Sequence, residues 1–195
     1  MNQSDSNFQL VVSVGTDHHI FDRLIDWVDD WIEGQESAPS LFVQHGASRS
    51  PRNGVGQDRL PRAALLKIYE NAQVVVVQGG PGSILDVREV GVVPIAVPRA
   101  PELKEVVDGH QIEFTKVMAK HGNAIFVDQR EDLHRQLDQA FADPQKLRTE
   151  PRVAAPQAAG EKLAEQISQI LASPQPRTRR VARRIRQLIA IKRVN

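Results

Sequence analysis

The chain has 195 residues, 41% of them hydrophobic, with 12 Gly, 12 Pro and no Cys, which is enough for one α/β core with an appendage and too little for two full nucleotide-binding domains. No stretch approaches the roughly 20 apolar residues that span a bilayer, the polar start Met1 to Asn7 lacks the basic end and apolar run of a signal peptide, and the lack of Cys removes disulfide frameworks and thiolate metal sites, so a chain that stays in the cytoplasm is expected. The net charge of +1 conceals an asymmetry, because residues 177–195 carry eight Lys/Arg and no acid while 17 basic and 24 acidic residues precede them; that polarity bears on a partner of the tail more than on the fold.

In chain order, Phe8 to Val14 is apolar and β-branched and closes on Gly15-Thr16. Ile20, Leu24, Ile25, Val28 and Ile32 follow at helical spacing, which predicts strand, loop, helix. Leu41-Phe42-Val43 reads as a second strand and His45 to Asp58, rich in Gly, Ser, Arg and Asn, as a loop. Arg62 to Asn71 reads as helix. Val74 to Val77 is apolar on both faces, the pattern of a parallel strand covered by helices. Gln78-Gly79-Gly80-Pro81-Gly82 breaks the strand, Ser83 to Val90 resumes a helical pattern, and Val93 to Val97 is another buried strand. After a loop opened by Arg99-Ala100-Pro101-Glu102 come a helix over Gln111 to Lys120, a strand over Ala124 to Val127 and a helix over Glu131 to Phe141. This alternation predicts right-handed β-α-β units, hence an α/β, Rossmann-like, doubly wound parallel sheet within residues 1–143. Residues 144–176 read as a linker, with three Pro in 144–159, followed by an amphipathic helix over 160–172. Residues 177–195 read as a basic amphipathic helical tail suited to an anionic membrane surface or a docking partner, the plain alternative being a disordered solvated segment. Nucleic acid is not the expected partner.

Ligands of such sheets bind beyond the carboxyl ends of the strands. Gly15-Thr16 offers close backbone approach and a hydroxyl ahead of a helix N-terminus, where free N–H groups attract phosphate, or it merely permits a tight turn. Gln78-Gly79-Gly80-Pro81-Gly82-Ser83 is the stronger signal: three glycines around a proline precede a helix whose first turn presents amides and Ser83 to an anion. The bland reading makes these residues turn formers and a helix cap. No GxxxxGK[ST] is present, and Leu85 stands where a dinucleotide fingerprint needs its third Gly. Asp86, one helical turn beyond Ser83, is placed to accept hydrogen bonds from ribose hydroxyls or simply to favour the helix dipole. Glu105, Asp108, His110 and Gln111 form a polar cluster suited to a hydroxyl-rich ligand or to a solvated loop and helix cap. His18 and His19 are adjacent, so their side chains are expected to diverge, and no metal site is expected. No GxSxG elbow is present.

Taken in order, Val12-Ser13-Val14-Gly15-Thr16, Phe21-Asp22-Arg23-Leu24, Gly79-Gly80-Pro81-Gly82-Ser83-Ile84-Leu85, Pro94 to Arg99 and Asp108-Gly109-His110-Gln111 resemble the C-terminal domain of glycosyltransferase family 28. The likeness extends to PssE/EpsE-type exopolysaccharide glycosyltransferase subunits and to the catalytic subunit of the split UDP-GlcNAc transferase, and covers about residues 9 to 142. The resemblance implies a single half of a GT-B fold that binds a UDP-sugar as substrate, with no cofactor and no metal. It implies a separate membrane-anchored subunit that binds a polyprenyl-linked glycan acceptor and supplies the catalytic base, so the catalytic residues of this chain stay unassigned. It also implies inverting transfer at the inner face of the plasma membrane in exopolysaccharide or related glycan synthesis. Donor-binding residues implied are Gly15, Thr16, Gln78, Gly79, Gly80, Gly82, Ser83, Asp86, Glu105, His110 and Gln111. Gln78 stands where relatives carry His, and Asp86 where a longer Glu is expected. The alternative is a non-catalytic nucleotide-sugar-binding or scaffold subunit.

Overall fold

The computed structural model describes residues 7–152. Parallel strands β1 (Leu10–Ser13), β2 (Leu41–Gln44), β3 (Val55–Gln57), β4 (Val74–Gln78), β5 (Ile95–Val97) and β6 (Ile125–Phe126) form one sheet in the order β3-β2-β1-β4-β5-β6. Helices α1 (Asp22–Glu33), α2 (Arg62–Asn71), α3 (Pro81–Glu89), α4 (His110–Lys120) and α5 (Arg130–Ala142) connect and cover it. The predicted Rossmann-like α/β fold is therefore the fold observed.

The sheet is covered on both faces because its central strands are apolar up to their last residues, Ser13 of β1 and Gln78 of β4. Side chains alternate across a strand. Leu10, Val12, Val74, Val76, Ile95 and Val97 accordingly meet Leu24, Ile25 and Val28 of α1 and Leu133 and Leu137 of α5. Val11, Phe42, Val75, Val77 and Ala96 point the other way, onto Leu65 and Ile68 of α2, Ile84 and Val87 of α3 and Met118 of α4. From β1 the chain builds outward through β2 to β3. It then returns through α2 to β4, on the far side of β1, and continues to β5 and β6. The strand order thus reverses between β1 and β4, where the two outgoing loops part and leave a crevice.

Two segments differ from the sequence reading. Within the expected loop 45–58 lies β3, paired with β2 through Phe42↔Val55 and Gln44↔Gln57. It is an edge strand with two of its three residues exposed, so it carries no buried pattern to read. The expected linker from 144 begins as folded chain. Leu147 is buried, its carbonyl accepts the Val93 N–H at 2.8 Å, and the Thr149 N–H donates to the Gly91 carbonyl at 2.9 Å. Arg148 donates to the carbonyls of Glu70 and Ala72. The rest of the 144–176 segment, its helix over 160–172, and the 177–195 tail lie outside the described residues.

Candidate functional site

At the reversal point, beyond the carboxyl ends of β1 and β4, the structure holds a cavity of about 790 Å³. Its floor is made by the last residues of those strands. Gly15 takes a left-handed backbone (φ +82°), which turns the chain out of β1 and leaves room for a neighbouring side chain. That neighbour is Gln78, whose carboxamide lies between Gly15 and Gly80: a methyl on either glycine would come within 3.0 Å or 2.4 Å, respectively, of Gln78 Nε2. Gln78 Nε2 donates to Ser83 Oγ at 3.4 Å, while Gln78 Oε1 is buried with no hydrogen-bond partner among the described residues.

Helix α3 begins at the cavity. Pro81 occupies its first position, where the missing N–H costs nothing, and the helix start has no side-chain cap. The first-turn amides therefore lack intrahelical and capping partners and present the positive end of the helix dipole. Ser83 is not the cap that the bland reading made it. A methyl at Gly82 would have nothing within 4 Å, so this position opens into free space.

Of the residues proposed from sequence, Gly15, Thr16, Gln78, Gly80, Gly82, Ser83, Asp86 and Gln111 come together around this cavity. Three do not. Gly79 packs beneath it: a methyl there would lie 2.4 Å from Thr115 Oγ1 and 2.8 Å from the Pro98 Cα, so the glycine lets β4 approach the end of β5 and α4. Glu105 is buried away from the cavity and takes a bidentate pair from Arg23, with both contacts at 2.8 Å, plus the Ala100 N–H at 2.8 Å. Its carboxylate is consumed in folding the loop after β5, which removes it from the sugar-contacting set. His110 is 91% exposed and pairs with Asp108, whose carboxylate also accepts the His110 N–H. Those two bonds hold the Asp108 carboxyl below its ordinary range, and the pair fits the alternative reading as a solvated loop and helix start.

Asp86 lines the cavity but is engaged: Arg62 Nε and Nη2 donate to its Oδ1 at 3.0 and 2.8 Å. Arg62 belongs to a wall that sequence reasoning missed, Arg59 to Arg62 with Leu65 and Tyr69 of α2. Gln44 ties this wall to the floor, its Nε2 donating to Ser13 Oγ at 3.1 Å and its Oε1 accepting the Leu60 N–H at 3.0 Å. Burial pushes the Tyr69 phenol far above its ordinary value, so it is neutral. Arg59 has no ion-pair partner among the described residues, leaving a free cation beside the first turns of two helices, α2 and α3. Arg59 and Arg62 sit just before and at the start of a helix that follows a loop. That position, beyond the carboxyl end of a strand, was the available signal.

Arg99 is buried between the loops after β1 and β5. It is the largest of the fully buried side chains, and its guanidinium donates to the carbonyls of Val14 at 2.9 Å, His19 at 2.8 Å, Ile20 at 3.3 Å and Glu105 at 3.2 Å. It also lies 4.8 Å from the centre of the Phe21 ring. Burial pulls its basicity down, opposed by the nearby Asp17 and Glu105 carboxylates. One side chain thus fixes both ends of the loop after β1 to the loop after β5. Within that pinned loop His18 and His19 do not diverge as expected. Their ring centroids are 4.0 Å apart and both rings turn toward Asp17.

No helix among the described residues is long and apolar enough to cross a membrane. No curated protein sequence matches the chain. Among solved structures, MurG of Acinetobacter baumannii superposes with a TM-score of 0.52 at 20% identity, covering 73% of this chain and 43% of MurG. The glycosyltransferase SnogD of Streptomyces nogalater gives 0.48 at 12% identity, covering 85% of this chain and 46% of SnogD. The chain spans less than half the length of either protein, and the likeness to MurG is one of fold. Residues 10–170 match the glycosyltransferase family 28 C-terminal domain. That match covers most of the chain, which therefore belongs to the glycosyltransferase family 28 C-terminal domain family, its Rossmann-like domain being one half of a GT-B fold.

Proposed function

We propose that the chain is the donor-binding subunit of a two-component glycosyltransferase, with the β1–β4 cavity taking the nucleoside diphosphate of a UDP-sugar. The observation that supports this most is the convergence, on one cavity, of the uncapped start of α3, the open Gly82, the Ser83 hydroxyl and the Arg59 and Arg62 side chains. Helix-terminal amides and guanidinium groups bind a diphosphate in its ground state. They also stabilise the additional charge that the leaving diphosphate gains as the glycosidic bond to it breaks. The buried Gln78 Oε1 is an acceptor in need of a donor, which an N–H or hydroxyl of the nucleotide or sugar supplies. Asp86, oriented by Arg62, is the carboxylate nearest to this chemistry for a ribose hydroxyl.

A base to deprotonate the acceptor hydroxyl is not evident in this cavity, whose lining contains one carboxylate, already paired with Arg62, and no His. The base and the acceptor site belong, in this reading, to a membrane-anchored partner carrying a polyprenyl-linked glycan. The chain then acts at the cytoplasmic membrane surface in exopolysaccharide or related glycan synthesis.

Calorimetric titration of the full chain with UDP, with ADP and NAD as controls, tests the donor half of this reading. UDP is expected to bind in preference to both controls, and Ser83→Ala and Asp86→Asn each to weaken it by about tenfold, or ~1.4 kcal/mol. Equal binding of ADP and UDP, or no UDP binding even with the partner present, would overturn it. If both substitutions leave transfer by the reconstituted complex unchanged, the chain is a scaffold subunit instead.

A further inference from the structure

We propose that Asp17, His18 and His19 form a binding site for a divalent transition-metal cation of the zinc class at the lip of the cavity. Asp17 Oδ1 lies 3.1 Å from His18 Nδ1 and 2.7 Å from His19 Nδ1, and the three donor atoms lie within 4.8 Å of one another. A tetrahedral ion with ligands at about 2.0–2.1 Å holds neighbouring ligand atoms about 3.3 Å apart. The two spacings, 3.1 and 2.7 Å, lie near that value, and the His18 side chain is exposed and free to turn.

The donor set selects the ion. Two imidazole nitrogens and one carboxylate oxygen suit Zn²⁺, Co²⁺, Ni²⁺ and Cu²⁺, whereas Mg²⁺ and Ca²⁺ require shells built of oxygen. Three protein ligands leave at least one position for water or a ligand oxygen, the arrangement of an open rather than a closed structural site. His18 is 86% exposed and Asp17 43%, so the ion can enter directly from solvent.

The loop that carries the triad is already ordered, which lowers the cost of assembling the site. Gly15 turns the chain at φ +82°, the His19 N–H donates to Asp17 Oδ1 at 2.9 Å, and Arg99 holds the carbonyls of Val14, His19 and Ile20. Without metal, His19 Nδ1 is hydrogen-bonded to Asp17 Oδ1 and His18 Nδ1 lies 3.1 Å from the same oxygen. With metal, the neutral rings carry their proton on Nε2 and turn the Nδ1 lone pairs inward. The site starts one residue after Thr16, which lines the cavity. It stands apart from the sugar-donor reading, and a failure of UDP to bind would leave it intact.

The test uses the tag-free full chain, stripped of metal and titrated with Co²⁺ by visible absorption and with Zn²⁺ and Mg²⁺ by calorimetry. One equivalent of Co²⁺ with the intense absorption of a low-coordinate ion, one of Zn²⁺ and no uptake of Mg²⁺ are expected. His18→Ala, His19→Ala and Asp17→Asn are each expected to weaken Zn²⁺ by more than about tenfold, with unchanged circular dichroism. His110→Ala is the control, since His110 shares an exposed His–Asp pair with Asp108 at 2.6 Å but has no second imidazole there. Absence of Co²⁺ and Zn²⁺ uptake, uptake unaltered in the His18→Ala/His19→Ala double variant, or an equal loss in His110→Ala would overturn the proposal.

Discussion

Two glycines of one loop, three residues apart, do opposite jobs. Gly79 has Thr115 and the Pro98 backbone within 3 Å of where a methyl would go, whereas Gly82 has nothing within 4 Å. Gly79→Ala is therefore expected to destabilise the fold by about 1–3 kcal/mol through overpacking, read as a lower urea midpoint. Gly82→Ala is expected to leave stability within about 0.5 kcal/mol while weakening UDP, because its methyl projects toward the space a diphosphate would fill. The sequence marks both as members of a Gly-rich loop and gives no means of ranking them, since the neighbours that decide the matter come from α4 and the end of β5. Glu105 and Arg99 make the same point for charged groups. Glu105 reads in sequence as part of a polar cluster for a hydroxyl-rich ligand, yet Arg23 takes its carboxylate, and four backbone carbonyls take the Arg99 guanidinium.

Among elements, those with a buried apolar face were legible and those without one were not. Strands β1, β2, β4 and β5 announce themselves by runs of Val, Leu, Ile and Phe, and α2 begins and ends where its pattern predicts. β3 is exposed at the sheet edge, and the chain from Pro144 to Arg152 packs through one apolar side chain and a set of backbone bonds, so neither has a period to detect. Leu147 is nonetheless in the same cluster as the interior of α1 and α5. Leu147→Ala is expected to cost about 2–4 kcal/mol, measured by urea unfolding, placing residues 144–152 within the cooperative domain. The ion pair of Arg62 with Asp86 joins α2 to α3, but Arg62 is exposed and solvent screening leaves such a pair little weight in stability. Its significance is the orientation it gives Asp86 at the cavity wall.

For the molecule as a whole, the single Tyr offers a direct report on the packed state. Tyr69 is buried under the cavity and its phenol is displaced upward by desolvation. Between the ordinary value of about 10 and the higher folded value, the unfolded chain binds fewer protons than the folded chain, so stability falls as pH rises. Phenolate absorbance in the native chain is expected only well above pH ~10, together with unfolding, and near pH ~10 in urea. Tyr69→Phe is expected to flatten the alkaline loss of stability. Native titration at the ordinary value would show the phenol open to solvent.

By itself the sequence determined the fold class and the ends of the sheet at which chemistry sits. Apolar runs and glycine breaks act locally along the chain, and burial leaves its period in the residues that are buried. It also placed Gly15, Thr16, Gln78, Gly80, Gly82, Ser83, Asp86 and Gln111 at the cavity, because loops after parallel strands converge on one edge. Only the tertiary structure decided which polar groups of those loops are free. Partners distant in sequence withdraw Glu105 into an ion pair, Arg62 takes hold of Asp86, Arg99 pins the loop after β1, and His18 and His19 are turned toward one carboxylate. A side chain's chemistry is fixed by its residue type, but its availability depends on neighbours that the fold alone brings within reach.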